Sequence, residues 1–142
     1  MPEAERSITI NRPVADVFAF LADGLTATKW RSGVLDIAHV SGDGLGAIYR
    51  QGVKGPMGRR IAADYRITEY TPTKRIAFEA IAGPVRPRGA YVMEPGGDGT
   101  RLTFSLAAKL GPVQRLVMGR MVQQTMDAEI RALDTLKTVL ED

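Results

Sequence analysis

The chain has 142 residues, of which 44% are hydrophobic and 25% are charged, and it contains no cysteine and one histidine, His39. This size and composition predict one globular domain over residues 1–142 and exclude a disordered or fibrous chain. Without cysteine, the chain has no disulfide, no thiolate nucleophile and no cysteine-ligated zinc. With a single histidine, it cannot form a metal site or a catalytic system that needs two imidazoles. We therefore expect no metal and no cofactor.

Charge and the N-terminal region bear on partners and location. Nineteen basic and sixteen acidic residues give a net charge of +3. The basic residues are spread along the chain, so we do not expect nucleic acid as a partner. The apolar stretch at 17–22 is too short to span a bilayer, and residues 1–10 lack a signal peptide pattern. We therefore expect a cytoplasmic protein with no integral membrane segment.

The N-terminal part of the chain predicts a strand followed by a helix. Residues 7–10 are rich in β-branched side chains and alternate as a strand does. Pro13 suits the first position of a helix and Gly24 suits its end. Between them, one apolar face is formed at helical spacing by Val14, Val17, Phe18 and Leu21.

Residues 34–108 predict six short strands separated by Gly/Pro turns. Connections this short favour antiparallel hairpins. The last strand alternates clearly, since Leu102, Phe104 and Leu106 share one face, so one face of the sheet is covered. The predicted strands span residues 34–40, 47–53, 61–70, 75–82, 88–94 and 101–108.

A long C-terminal helix from residue 111 is predicted to cover that face. Its apolar stripe consists of Met118, Val122, Met126, Ile130, Leu133, Leu136 and Leu140. One helix of about 25 residues, roughly 40 Å long, cannot fill the concave side of a curled sheet. We therefore predict an α+β fold in which a curved seven-stranded antiparallel sheet wraps around a long helix and leaves an internal cavity.

The side chains predicted to line this cavity mix small and large residues. Ala63, Ala80 and Gly89 leave room beside larger neighbours, and the helix adds flexible methionines. The predicted lining comprises Trp30, Tyr49, Gln51, Tyr65, Phe78, Tyr91, Phe104, Met118 and Met126.

Several stretches carry a family resemblance in their order and spacing: "SITINRPVADVFAFLAD", "GLGAIYRQGVKG", "YRITEYTPTKRIAF", "YVMEPGGDGTRLTFSL" and "MDAEIRALDTLKTVLED". Together they resemble the START-like, or SRPBCC, superfamily with its helix-grip fold, and in particular its polyketide cyclase/dehydrase-like branch. The resemblance implies two short helices between strands 1 and 2 that close one mouth of the cavity, with Trp30 in the second, over 26–31. Members of this branch share a fold and not one reaction, so fold alone assigns no function.

The aromatic candidates each have two interpretations. Trp30 is either a plug that packs the short helices onto the sheet or a residue that contacts the ligand. Tyr49, Tyr65 and Tyr91 either fill the core or offer a hydroxyl to a ligand, with Gln51 beside Tyr49 on the same face.

Glu129 lies close to the apolar stripe and is either a buried general acid or base, or a residue at the edge of the stripe that reaches solvent. Arg86 and Arg88 either point inward to pair with a carboxylate or enolate or lie on the surface. His39 is interpreted as an exposed residue at a strand end. The stretch "QGVKGPMGRR" lacks the ending of a phosphate-binding loop.

Three functions follow as hypotheses. The first is binding of a small hydrophobic molecule such as a lipid, sterol, isoprenoid or polyketide, by a monomer or homodimer. The second is an enzyme of the polyketide cyclase, aromatase or dehydratase type. The third is a protein-interaction or chaperone-partner module, which predicts a solid core and an exposed apolar patch.

Overall fold

The computed structural model describes residues 2–142 and contains an antiparallel sheet with helices on one face. Seven strands pair in the order β1-β8-β7-β6-β5-β3-β2, and β4 pairs with β3 beside this path. The α+β helix-grip architecture predicted from the sequence is confirmed. The strands are β1 (Glu3–Ile10), β2 (Val34–Ser41), β3 (Ile48–Lys54), β4 (Arg60–Ala62), β5 (Tyr65–Thr71), β6 (Arg75–Ala80), β7 (Arg88–Gly96) and β8 (Gly99–Ala107).

Three α-helices occur within residues 2–142: α1 (Val14–Ala22), α2 (Pro112–Arg131) and α3 (Leu133–Glu141). A 3₁₀ helix, Gly24–Lys29, follows α1, and a short 3₁₀ segment, Pro56–Gly58, connects β3 to β4. Pro112 opens α2, a position where its missing amide proton is not needed. None of these helices has both the length and the apolar character that a membrane crossing requires.

The helices cover one end of the sheet. α2 packs on β1 and β8, α3 packs on β1, and α1 packs on β7 and β8. The predicted stripe of the C-terminal helix supplies buried residues to this core, among them Val122, Met126, Leu133 and Leu136. The 3₁₀ helix packs instead on β2 at the far edge. The concave face between these two groups of helices is therefore left partly open.

The strand predicted at 61–70 is interrupted, which gives eight strands where seven were predicted. Between β4 and β5, the Ala63 amide donates to the Gln51 carbonyl (2.8 Å), and the Gln51 amide donates to Asp64 Oδ1 (3.2 Å). The Asp64 carboxylate thus accepts from the Gln51 amide where a backbone carbonyl would do so in a regular strand. Regular pairing of β5 with β3 resumes at Tyr65, which lies opposite Tyr49.

Several further boundaries differ from the prediction, most of them by one or two residues. β1 begins at Glu3 and not at residue 7, because it pairs with β8 from Glu3 opposite Ala107 onward. The second short helix is a 3₁₀ helix that ends at Lys29, so Trp30 follows it. The C-terminal helix is divided at Ala132, whose amide donates to the carbonyls of both Ala128 and Glu129.

Candidate functional site

A cavity of about 360 Å³ lies between the concave face of the sheet, α2 and the segment that contains the 3₁₀ helix. This volume falls within the range of roughly 300–1,000 Å³ that is usual for small-molecule sites. Much of its wall is apolar and comes from the strands, with Ile67 from β5, Ile76 and Phe78 from β6, and Phe104 from β8. The incomplete cover of the sheet by helices therefore leaves an apolar chamber.

Seven of the nine predicted lining residues lie on its wall: Trp30, Gln51, Tyr65, Phe78, Tyr91, Phe104 and Met126. Tyr49 lies outside the lining, with its ring stacked between Tyr65 (5.2 Å) and His39 (5.0 Å). Met118 also lies outside it, half-buried on α2 about two turns before Met126. Contact of any of these side chains with a ligand remains a prediction.

The small residues of the strands have different roles. Ala63 and Ala80 line the cavity, as their size suggested. Gly89 does not create open space, because a Cβ there would lie 2.6 Å from Phe78 Cζ and 2.8 Å from the Ser105 carbonyl oxygen. Its missing side chain instead admits the ring of Phe78. The expectation of space at Gly89 was therefore wrong.

Trp30 packs in the core and also faces the cavity. It is 4% exposed, and its ring meets Tyr91 and Phe104 edge-on, each at 6.3 Å between centroids. The 3₁₀ helix positions it, since the Trp30 amide donates to the Ala27 carbonyl (3.2 Å). Trp30 thus packs in the core and also forms part of the cavity wall, and its contact with a ligand stays a prediction.

A buried ion pair forms the polar part of the wall. Arg31 Nε donates to Glu129 Oε2 at 2.7 Å, and the two side chains are only 15% and 16% exposed. Arg31 Nη1 also donates to Gln51 Oε1 (3.1 Å), and Gln51 Nε2 donates to the Ala63 carbonyl (3.2 Å). This chain of contacts joins α2 to β3 and to the break between β4 and β5.

The ion pair locates Glu129 and adds one residue to the site. Glu129 lies at the edge of the stripe with only 16% of its side chain exposed, and it is held toward the cavity by Arg31, a residue that was not among the sequence-based candidates. The two residues are 98 positions apart, so no local spacing could have paired them. The available signals were the position of Glu129 near the apolar stripe and that of Arg31 next to Trp30.

The electrostatics of the wall follow from burial and from this pair. Burial opposes the charge of Arg31, but Glu129 outweighs it, so the pKa of Arg31 is raised and the guanidinium stays charged. Burial raises the pKa of the Tyr65 and Tyr91 hydroxyls, although Arg31 partly opposes this. Both phenols are therefore neutral near pH 7 and able to donate a hydrogen bond.

The hydroxyls of Tyr65 and Tyr91 are not engaged by the protein. Among residues 2–142, neither hydroxyl has a hydrogen-bond partner. Every fully buried side-chain nitrogen or oxygen atom in this range does have a partner, so the two hydroxyls are not fully buried. The two hydroxyls must consequently retain open space beside them, and both residues line the cavity. The wall thus presents two free donors next to a charged guanidinium.

We expect Tyr65 and Tyr91 to ionise only above the ordinary tyrosine pKa of about 10. Because folding raises both pKa values, their contribution to stability is complete below about pH 10 and is lost as the pH rises further. A spectroscopic titration of phenolate absorbance checks this. Tyr65→Phe and Tyr91→Phe should each remove one of the ionisation transitions that occur above the ordinary tyrosine pKa. A single transition of all tyrosines at the ordinary pKa contradicts the burial of these hydroxyls.

Gly24 allows the 3₁₀ helix to approach the tyrosines closely. A Cβ at Gly24 would lie 2.6 Å from both Tyr49 Cε1 and Tyr65 Oη. We expect Gly24→Ala to lower the free energy of unfolding by about 1–3 kcal/mol in urea denaturation. Gly119 in α2 is the matched control, since its nearest neighbour would be Arg115 Cγ at 3.7 Å. Gly119→Ala should raise stability by up to about 1 kcal/mol, and equal effects at both glycines contradict the close contact.

The remaining polar candidates lie outside the cavity. His39 is exposed on β2, where its Nε2 contacts the Gly42 carbonyl. Arg86 and Arg88 are exposed on either side of Pro87, which itself lines the cavity. Within residues 2–142, no three histidine, aspartate or glutamate side chains are grouped so that they could hold a metal ion.

Comparison with solved structures supports the fold. The chain is similar to TTHA0849 from Thermus thermophilus, with a TM-score of 0.83, 22% identity and coverage of 98% of this chain and 97% of that one. It is also similar to the Zhui aromatase/cyclase from Streptomyces sp. R1128, with a TM-score of 0.73, 17% identity and coverage of 97% and 90%. A third similar structure is the di-domain aromatase/cyclase StfQ of the steffimycin biosynthetic pathway, with a TM-score of 0.81 and 13% identity; 98% of this chain matches half of that one.

Sequence comparison identifies the family. No curated protein matches the chain. The family model described as polyketide cyclase/dehydrase and lipid transport matches residues 1–141. This match spans nearly the whole sequence and agrees with the resemblance to the START-like superfamily and with the fold of the similar structures. The chain therefore belongs to the polyketide cyclase/dehydrase and lipid transport family.

Proposed function

We propose that the protein binds a small hydrophobic molecule that carries at least one oxygen acceptor, such as a polyketide, isoprenoid, sterol or lipid. The observation that carries this proposal is the cavity of about 360 Å³, whose apolar wall includes the free hydroxyls of Tyr65 and Tyr91 beside Arg31. Apolar chambers with a few convergent polar groups are the usual form of small-molecule sites. We propose that residues 1–142 act as one domain.

The polar part of the wall favours oxygenated ligands over plain hydrocarbons. A ligand would place its apolar body against side chains such as Ile67, Ile76 and Phe78 and its oxygen toward the tyrosines. A hydrocarbon that displaced water from the cavity would leave two phenol donors without partners, at a cost of about 1–3 kcal/mol each. A carbonyl or hydroxyl oxygen at this position accepts hydrogen bonds from both phenols. We therefore expect the protein to bind ligands with an oxygen acceptor more tightly than hydrocarbons.

Native mass spectrometry of the protein as purified tests the proposal. We expect a one-to-one adduct that is released on denaturation and contains oxygen. Titration of the emptied protein with the same compound should change the fluorescence of Trp30, the only tryptophan in the chain, because Trp30 lies on the cavity wall. Absence of any adduct, together with unchanged Trp30 fluorescence across a set of fatty acids, sterols and aromatic polyketones, contradicts the proposal.

A cyclase, aromatase or dehydratase is the second candidate, and the buried Arg31–Glu129 pair favours it. Arg31 and the tyrosine hydroxyls would stabilise the negative charge that develops on a ketone oxygen as it becomes an enolate. Glu129 is the carboxylate placed to accept the proton from the neighbouring carbon. The cavity would hold the chain in a folded conformation, which favours ring closure. Two of the similar structures are aromatase/cyclases, in line with this candidate.

Turnover of a poly-β-ketone substrate separates the enzyme from the binding protein. If the protein is an enzyme, we expect Glu129→Gln, whose amide oxygen can still accept from Arg31 Nε, to lower kcat much more than it raises KM, whereas Tyr91→Phe should affect both. Binding of such a compound without any conversion by the unaltered protein contradicts the enzyme candidate and leaves the binding proposal intact.

The interaction-module hypothesis ranks third. It predicts a solid core and an exposed apolar patch. Exposed apolar side chains are present on α2, but the cavity of about 360 Å³ does not fit a solid core and suits a ligand. A cytoplasmic location and a monomeric or homodimeric state remain part of the proposal. Cell fractionation and sedimentation velocity test these two points.

A further inference from the structure

The first half of α2 carries apolar side chains on its solvent side. Val113, Leu116, Val117 and Met121 are 74%, 87%, 77% and 40% exposed, and we call them the apolar ridge. Their spacing of three and four residues places them on one face of the helix, about 12 Å long at 1.5 Å per residue. Val122 and Met126 cover the core from the opposite face. The ridge is therefore not needed to pack α2 onto the sheet.

The ridge leads to the mouth of the cavity. Five lining residues are exposed: Asp23, which precedes the 3₁₀ helix, and Ser32, Lys54, Thr125 and Ala128. The cavity therefore opens to solvent, and we call the opening beside the last four the mouth. Met121 lies one helical turn before Thr125, whose hydroxyl donates to the Met121 carbonyl (3.0 Å). Across the mouth, the turn that follows Lys54 presents a further apolar side chain, Met57, which is 99% exposed.

The segments around the mouth carry an excess of positive charge. Residues 54–60, 81–90 and 109–124 contain no aspartate or glutamate. Gln114 Nε2 donates to the Pro84 carbonyl (3.2 Å), which ties the second segment to α2. Seven exposed cations of these segments form no ion pair within residues 2–142. We call them the basic rim: Lys54, Arg59, Arg86, Arg88, Lys109, Arg115 and Arg120.

We propose that the apolar ridge and the basic rim dock the protein on an anionic phospholipid bilayer, with the mouth of the cavity facing the membrane. Apolar side chains flanked by arginine and lysine are the pattern that binds at the interface of such a bilayer. The apolar ridge inserts into the acyl region of the bilayer, and the cations of the basic rim pair with the anionic headgroups. Each cation adds to the attraction. The exposed ridge thereby acquires a partner of matching chemistry.

Other occupants fit this surface less well. In a symmetric dimer formed through the ridge, Arg115 and Arg120 would face their own copies, and like charges across an interface oppose association. An acidic protein would need a groove complementary to a convex helix, whereas a bilayer adapts its own surface to the ridge. Membrane docking goes beyond ligand binding and does not depend on the identity of the ligand or on whether one is bound.

Vesicle flotation tests the docking. The probes are vesicles of phosphatidylcholine alone and of phosphatidylcholine and phosphatidylglycerol in equal parts, each at low and at high salt. We expect the protein to float with the mixed vesicles at low salt, much less at high salt, and not with phosphatidylcholine alone. Leu116→Ser with Val117→Ser, and separately Arg115→Gln with Arg120→Gln, should each weaken binding about tenfold or more.

Matched controls carry equivalent changes away from the mouth. Val40→Ser with Leu45→Ser removes exposed apolar side chains, and Arg50→Gln with Lys74→Gln removes exposed cations. Both control proteins should bind the mixed vesicles like the unaltered protein. Failure of the unaltered protein to bind, or equal loss in control and rim variants, overturns the proposal. The proposal is also overturned if the protein does not bind vesicles and sedimentation velocity instead shows a dimer that Leu116→Ser with Val117→Ser dissociates.

Discussion

Ala63→Phe is expected to weaken ligand binding at least about tenfold while the protein remains folded. Ala63 lines the cavity at the break between β4 and β5, and a benzyl group there would occupy a substantial part of about 360 Å³. Binding of 1-anilinonaphthalene-8-sulfonate, an apolar fluorescent probe that carries a sulfonate acceptor, measures the effect. The thermal unfolding midpoint should stay close to that of the unaltered protein, because the new ring fills existing space.

Ala62→Phe is the matched control. Ala62 is the preceding residue, at the end of β4, and its side chain is exposed. The same ring added there leaves the cavity empty, so probe binding should be unchanged. Equal loss of binding in the two variants, or full binding by Ala63→Phe, contradicts the assignment of the cavity as the ligand site.

Glu129→Ala is expected to lower the free energy of unfolding by about 3 kcal/mol, because it leaves the buried guanidinium of Arg31 without its counter-charge. Arg31 would retain only Gln51 as a hydrogen-bond partner among the side chains of residues 2–142. Urea denaturation followed by circular dichroism measures the loss. Loss of the pair should also loosen the segment that carries Trp30 and thus weaken binding of the probe.

The double variant Arg31→Met with Glu129→Leu separates a stabilising role from a functional one. Replacing both charges with apolar side chains removes the unpaired charge, so the loss of stability should fall to about 1 kcal/mol or less. If the pair serves ligand recognition, binding of an oxygenated ligand should stay weak although stability is restored. Recovery of both stability and binding contradicts a role of Arg31 in recognition.

The fold could be predicted from the sequence because its signals are local. Alternation in β8 and spacings of three and four residues in the C-terminal helix depend only on neighbouring residues. The start of β1 at Glu3 could not be read in this way. Its charged residues were not typical of a strand, and their pairing with β8 joins positions about a hundred residues apart.

The site was predictable only in part for the same reason. Large residues at inward strand positions, such as Tyr65 and Phe78, lie on the wall as the alternation indicated. The Arg31–Glu129 pair depends on the packing of α2 against the segment after the 3₁₀ helix, and no sequence pattern encodes this contact. Gly89 shows a further limit, since a small residue can admit a neighbouring ring as readily as it leaves a cavity.

Trp30 illustrates how the structure changed one prediction. The sequence left a choice between packing and ligand contact for this residue. The structure places its indole edge-on against Tyr91 and Phe104 and also on the cavity wall, so the residue can report on ligand entry without ceasing to pack the core.

Heteronuclear NMR of the full chain with a library of fatty acids, sterols and aromatic polyketones tests ligand binding in the cavity most directly. We expect at least one oxygenated compound to shift the amide signals of Trp30, Arg31, Tyr65 and Tyr91 together, and we expect Ala63→Phe to abolish these shifts. Shifts confined to the outer surface, or no localised shifts with any compound, contradict ligand binding in the cavity.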